Sequence, residues 1–312
     1  MSHDTLPRHH FSLCHGLAMS SSDQPASPHP TADTAERPMS DAALARRMPL
    51  LPSHLREQAM TLGQQAMQPV GIIESCYPDK FGIPRQPGLA RHATAILHLL
   101  PPFDDPDCVR DIDGFSHLWI HFLFHASPTR WTPLIRPPRL GGNARTGVFA
   151  SRSTHRPNRL GQSVVELAGV ETGASDRPGG RQTGRHSGVR LLLRGHDLLD
   201  GTPVMDIKPY LPWVDAVPQA RAGYAPAPPP RHAVMFSDEA EQQLEQRSDS
   251  ATLRALIEEV LAQDPRPAYH AAKAADGKRQ YGVQLVDVDV RFTAYTQPDG
   301  SLTMQVAAIV AS

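Results

Sequence analysis

The apolar and polar positions alternate most clearly in FSHLWIHFLFHA, residues 115–126. There Leu118, Ile120, Phe122 and Phe124 fall on one side of an extended chain, and His117, Trp119, His121, Leu123 and His125 on the other. Successive side chains of a strand point to opposite faces. Trp, Ile and Phe also suit a pleated, half-buried surface. This spacing therefore predicts a strand with one apolar face and one imidazole-rich face, bordering a pocket. The same His spacing would line up on a helix, but on a strand residues four apart stand about 13 Å apart, too far to share one ion. No metal site is expected.

Shorter apolar runs bounded by Pro or Gly predict further strands: PVGIIESCY (69–77), ATAILHLL (93–100), TGVFAS (146–151), SVVEL (163–167), the run after Gly188, and VMDIKPY (204–210). KFGIPRQPGLA (80–90) reads as a loop. PPFDDPDCVRDIDGF (101–115) reads as a turn-rich connection with a short helix, and residues 170–188 as a flexible hairpin insertion. Asp200-Gly201 between apolar runs predicts a hairpin turn. After a Pro-rich linker at 221–232, residues 237–265 carry two helices, with Ser237 as a cap and Leu253, Ile257, Val260 and Leu261 at helical spacing. YGVQLVDVDVRFTAY (281–295) reads as a strand pairing with 301–310 across QPDG. Many short strands with few helices before residue 237 suggest a barrel followed by a smaller α+β part.

Composition narrows the class. The chain has 312 residues, 40% hydrophobic and 20% charged, which allows one large domain or two ordinary ones with a sizeable core. Its 31 Pro argue against a helical bundle. Residues 1–66 have one aromatic, Phe11, and are rich in Ser, Pro, Ala and His, so they are expected to be a mostly disordered extension, with short helices in DAALARRMPLL and from Ser53 onward. No secretory signal or membrane-length apolar run is present in the sequence. Three Cys without a CxxC disfavour a disulfide framework and fit a cytoplasmic location.

The net charge of −1 conceals a local imbalance. From Gly114 to Val165 there is no Asp, Glu or Lys but seven Arg, at 130, 136, 139, 145, 152, 156 and 159. Guanidinium forks pair with phosphate and carboxylate, so this stretch points to a local anionic or nucleic-acid partner. Gly141, Gly142 and Asn143 within it would permit close backbone approach by a ligand. The alternative is that these arginines pair with carboxylates elsewhere in the fold. The sequence lacks a phosphate-binding GxxxxGK[ST] loop, a GxGxxG turn, a GxSxG elbow and an HExxH helix. The residues by themselves reach only a pocket for an anion or nucleic acid.

Five blocks in order, FGIPRQPGLA, FSHLWIHFLFH, RPPRLGGNARTGVFASRSTHRPNRLGQSVVEL, LLDGTPVMDIKPYLPW and LAQDPRPAY, resemble the TrmO family over about residues 68–312. The resemblance implies a mainly β fold: a single-sheeted TrmO-type β-barrel over 67–215 and a small α+β C-terminal domain over 216–312. It implies a homodimer using S-adenosylmethionine as cofactor to methylate N6 of N6-threonylcarbamoyladenosine, just 3′ of the anticodon of threonine tRNA. Carried over by motif, the cofactor-binding residues are Pro84, Arg85 and Gln86, His125, Arg152, Gln162, and Asp200, Gly201, Thr202 and Pro203. Two positions depart from the family's pattern: Gln162 stands where Leu or Met is usual, and Arg159 where Pro is common.

In that setting Asp200 can accept from the amino group or ribose hydroxyls of the cofactor, and Arg85 or Arg152 can hold its carboxylate. His125, Asp206 and Tyr210 are the candidates for a base near N6. Arg136, Arg139 and Arg145 are candidates for contacts to anticodon-stem phosphates of the tRNA, Lys208 for the threonyl carboxylate or a phosphate, and Trp131, Phe149 and Tyr210 for stacking platforms against a base of the anticodon loop. The alternative function is a non-catalytic RNA- or ligand-binding barrel using the same Arg surface.

Overall fold

The computed structural model describes residues 52–63, 66–141, 144–173, 188–271 and 273–312. The expectations for residues 1–51, for most of the 170–188 insertion and for Gly142 and Asn143 lie outside the described residues. A first helix, α1 (Ser53–Leu62), has Pro52 at its N-cap, and no side chain caps it.

Six strands close into an antiparallel barrel: β1 (Gly71–Ser75), β2 (Thr94–Leu99), β3 (His117–Leu123), β6 (Leu160–Thr172), β7 (Val189–Arg194) and β8 (Pro203–Pro209). Around the barrel they run β1, β2, β7, β6, β3, β8 and back to β1. Two two-residue strands, β4 (Leu134–Ile135) and β5 (Thr146–Gly147), pair beside it. The alternation in β3 is realised: Leu118, Ile120 and Phe122 are buried, while His117, Trp119, His121 and Leu123 are only half-buried. Ile73, Leu97, Leu118, Ile120, Leu191 and Leu193 fill the interior, each contributing about 1.5–3 kcal/mol by leaving water.

The Pro-rich stretch 216–232, which follows the short helix α2 (Pro212–Asp215), holds no regular element. It leads to a four-stranded sheet ordered β10 (Tyr281–Leu285), β11 (Val288–Thr296), β12 (Leu302–Ala311) and β9 (Ala233–Phe236), with β9 parallel to β12. Helices α3 (Asp238–Glu245) and α4 (Ser250–Leu261) bury Leu244, Leu253, Ile257 and Val260 against it. Ser237 caps α3 as expected, its hydroxyl accepting from Ala240 N at 3.1 Å. A short helix, α5 (Ala268–Ala271), follows.

The C-terminal core is completed by residues from the barrel side. Cys76 and Tyr77 at the end of β1, together with Ala90 and Ala93, are buried in it. Val286 N donates to Cys76 O at 2.8 Å, and Glu259 of α4 accepts from His92 N at 2.9 Å and faces its Nδ1 at 3.1 Å.

Several expectations change. Asp200-Gly201 is a tight turn but not a hairpin, because β7 and β8 are not neighbours in the barrel. The turn instead ends a crossover that is bonded to β1. TGVFAS is a two-residue bridge followed by a 3-10 turn at Val148–Ala150, since Ser151 Oγ donates to Val148 O. The SVVEL run belongs to a much longer strand, β6. The run 281–295 is broken into a hairpin at Val286, whose φ of 56° reverses the chain between β10 and β11. Within 101–115 there are two 3-10 turns, Pro106–Val109 and Ile112–Gly114.

Candidate active site

One mouth of the barrel opens into a cavity of about 950 Å³ walled by four separate stretches: 80–87, β3 and its exit, 151–164 and 197–202. The 80–87 loop is fixed from behind by the C-terminal core. Gly82 has φ 93°, a conformation costly for any residue with a β-carbon. A β-carbon there would lie 2.3 Å from Val283 Cγ2. Ile83 packs against the C-terminal core and also lines the cavity. Pro84, Arg85 and Gln86 follow on the cavity wall, with Pro84 buried and Arg85 exposed. Lys80 ties this loop to the exit of β3 through a bond to Ala126 O.

His125 lies just past β3 rather than on it, because its N–H turns back to Leu123 O at 2.7 Å. Its ring reaches the 200–203 turn: Nδ1 is 3.5 Å from Thr202 Oγ1. The turn itself is pinned to β1. Asp200 Oδ1 accepts from Ser75 N at 2.8 Å, Asp200 N donates to Tyr77 O at 3.0 Å, Gly201 N to Ile73 O at 2.8 Å, and Ile73 N to Thr202 O at 3.0 Å. Gly201 provides the positive φ of 70° that this path needs.

Arg152 and Arg156 come from the acid-free segment. Arg156 donates to Ser151 O at 2.9 Å and to Val148 O at 3.3 Å, which shapes the loop that presents Arg152. Gln162 lines the cavity from β6 and stands opposite His121 in register. Arg159 has φ 51°, which the ring of proline cannot adopt. The departure at that position is therefore matched by the backbone.

The cavity thus gathers Pro84, Arg85, Gln86, His125, Arg152, Gln162 and Thr202. Asp200, Gly201 and Pro203 are not in its lining but form the turn that carries Thr202. Asp206 is exposed on β8 opposite His121, its carboxylate accepting from Ile207 N at 2.9 Å. Tyr210 packs its ring against Trp119 and His117. Neither lines the cavity, nor do Lys208, Arg136, Arg139 and Arg145. Arg139 instead donates to Ala227 O at 2.6 Å and so holds the Pro-rich linker.

Two lining residues escaped the sequence reading. Trp119 was placed on the polar face of β3 without a role. Its indole N–H donates to Asp215 at 3.0 Å, and Asp215 also accepts from Leu211 N at 2.9 Å. These two bonds hold the Asp215 carboxyl below its ordinary range. Asp197 is the second. Ser163 Oγ donates to its Oδ1 at 2.6 Å. Burial pushes its carboxyl up to about 6, against the opposing pull of the Ser163 bond and the Arg152 charge. The only local signal was a His-Asp pair three residues before DGTP. Next to it His196 is fully buried, which lowers its imidazole to about 4.

A closed antiparallel barrel with a cation-rich mouth, joined to a small α+β domain, has clear counterparts among known proteins. The family model for the tRNA-methyltransferase O N-terminal domain matches residues 72–216, and that for the TrmO C-terminal domain matches 229–310. The chain belongs to the TrmO family. It is 49% identical over 228 residues to the tRNA (adenine(37)-N6)-methyltransferase of Escherichia coli K12, covering 72% of this chain and 90% of that protein. It is 48% identical over 245 residues to a Pseudomonas aeruginosa protein whose name describes an S-adenosylmethionine-dependent methyltransferase, covering 78% and 97%. A crystal structure of TrmO from Pseudomonas aeruginosa superposes with a TM-score of 0.62 at 40% identity, covering 80% of this chain and all of that one.

Proposed function

We propose that this chain transfers a methyl group from S-adenosylmethionine to N6 of N6-threonylcarbamoyladenosine at position 37 of threonine tRNA. The observation that carries the reading is the convergence, on one cavity, of Pro84–Gln86, His125, Arg152, Gln162 and Thr202 from distant parts of the chain. The relatives named as tRNA (adenine(37)-N6)-methyltransferases support tRNA and N6 as the acceptor.

The donor set fits the cofactor. Arg85 and Arg152 match its carboxylate, the Asp200–Thr202 turn offers the Thr202 hydroxyl for the amino or ribose groups, and Leu199, Phe124 and Pro84 offer apolar walls for the adenine. At about 950 Å³ the cavity is at the upper end for a small-molecule site, which leaves room for a base turned out of the anticodon loop. When bound, S-adenosylmethionine supplies a methyl group activated by its positively charged sulfur. The chain's own contribution is to orient the acceptor nitrogen and exclude water.

Arg136, Arg145 and Lys208, exposed outside the cavity, suit phosphates of the anticodon arm, and Arg156 on its wall suits an incoming anion. The same reading divides the chain into a barrel domain at 67–215 and a C-terminal domain at 216–312, and takes the molecule as a cytoplasmic homodimer. Exposed Trp213, Val214 and Val217 offer apolar surface to a second copy.

The test is transfer of labelled methyl from S-adenosylmethionine to threonine tRNA with and without the threonylcarbamoyl group. Transfer only to the modified tRNA is expected. Transfer to the unmodified adenosine alone would overturn the substrate, and salt-sensitive RNA binding without any transfer would favour a binding barrel.

A further inference from the structure

Asp197 is the sole carboxylate among the described residues that line the cavity, where Lys80, Arg85, Arg152 and Arg156 supply four permanent cations. It sits on the crossover between β7 and β8 and is held by the Ser163 hydroxyl of β6 at 2.6 Å. Arg152 bears on it from the 151–156 loop, and Tyr77 from the end of β1 feels its charge. On its own segment, His196 faces away, toward Cys76 Sγ at 3.7 Å and Leu198 N at 3.2 Å. A lysine or arginine cation cannot take up a proton, so Asp197 and His125 are the acceptors available at the cavity wall. His125 is exposed beside Thr202, at the turn assigned to the donor. Asp206 and Tyr210 lie outside.

We propose that Asp197 accepts the N6 proton of the acceptor base, with Ser163 as the positioning residue for its carboxylate. This rests on the methyltransferase reading above. In the balanced step the N6 lone pair forms the new N–C bond and the electron pair of the broken C–S bond stays on sulfur. The N6 proton passes to an Asp197 oxygen, which releases it to water. The surroundings favour proton uptake, because withdrawal from water makes this carboxylate a better base than an exposed one, while Arg152 and Ser163 keep it ionised at neutral pH.

The experiment compares full-length wild type, Asp197→Asn and Ser163→Ala. Single-turnover methyl transfer to threonylcarbamoylated tRNA is measured from pH 5 to 9 at saturating S-adenosylmethionine, and S-adenosylhomocysteine binding is measured by calorimetry. Asp197→Asn is expected to lose about 100-fold or more in rate and to lose the acid limb near pH 6, with binding within about threefold. Ser163→Ala removes a bond that both favours the ionised carboxylate and orients it, so its acid limb moves to higher pH and its alkaline plateau falls, by less than in Asp197→Asn.

An Asp197→Asn enzyme that keeps its rate and acid limb would overturn the proposal. So would one that loses S-adenosylhomocysteine affinity yet reaches the wild-type rate at saturation, which would make Asp197 a donor ligand. If Asp197→Asn fails to fold, an unmoved acid limb in Ser163→Ala overturns it instead. Absence of transfer by wild type would sink the underlying reading and this proposal together, whereas an active wild type beside an unaffected variant sinks the proposal alone.

Discussion

Replacing Gly82 with alanine probes how the C-terminal domain holds the cavity loop. The backbone there has φ 93°, and forcing a β-carbon into that region costs about 1–3 kcal/mol. The new methyl would also stand 2.3 Å from Val283 Cγ2, when carbons prefer about 3.5–4.0 Å. Val283 is buried and stiff at χ1, so relief comes from moving the loop or the strand, at about 1–3 kcal/mol. Together these remove a large part of a typical stability of about 5–15 kcal/mol.

Urea denaturation with and without S-adenosylhomocysteine measures the loss, and calorimetry measures the displaced loop as weakened binding, because Pro84, Arg85 and Gln86 follow directly. The control is Val283→Ala. Alone it costs about 1–3 kcal/mol for lost packing. Combined with Gly82→Ala it should recover about 1–2 kcal/mol of the steric part, leaving the backbone part. A Gly82→Ala protein within about 0.5 kcal/mol of wild type, or strictly additive costs in the double variant, would refute this account.

Three further outcomes are expected. Ser237→Ala removes both the bond from Ala240 N and the donation to Ala307 O, and should cost about 1–2 kcal/mol in urea denaturation with methyl transfer unchanged. Arg152→Ala should raise the S-adenosylhomocysteine Kd about tenfold or more with the thermal midpoint within a few degrees, since the side chain is exposed at the cavity; calorimetry and a thermal melt check it. The third concerns pH. His196 is lowered to about 4 from 6.5, so its contribution is complete above pH 6.5 and lost as pH falls toward 4. Asp197, raised to about 6 from 3.8, works in the opposite sense, its contribution being complete at low pH and lost as pH rises through 6. The two oppose each other between pH 4 and 6, so the thermal midpoint of Asp197→Asn should fall more steeply than wild type as pH drops through that window.

Local patterning carried much of this architecture. The period of two in β3 and the apolar repeat of α4 depend on one face meeting one core, and both were legible. What sequence did not disclose depends on which strands end up adjacent. Asp200-Gly201 has the chemistry of a hairpin turn, but the strand partners of β8 are β3 and β1, so the turn serves a crossover. Val286 breaks an apolar run at a position where a β-branched residue gives no turn signal. Asp197 becomes a cavity residue only when β6 brings Ser163 to it from 34 positions away. Lys208 and Arg136 carry the expected charge, but the pleat and the loop leave them outside the cavity.

The 200–203 turn has a second consequence. β1 and β8 share only two register pairs, Gly71 with Val204 and Ile72 with Pro203, so the turn's bonds to Ser75, Tyr77 and Ile73, with Val70 N donating to Val204 O at 2.8 Å, latch the barrel shut. The seam joins residues about 130 positions apart, so its closure carries the entropy cost of a long loop. The motif assigned to the donor is thus also the clasp of the scaffold, and an inactive Asp200 variant speaks to ligand contact only after its barrel has been shown to close.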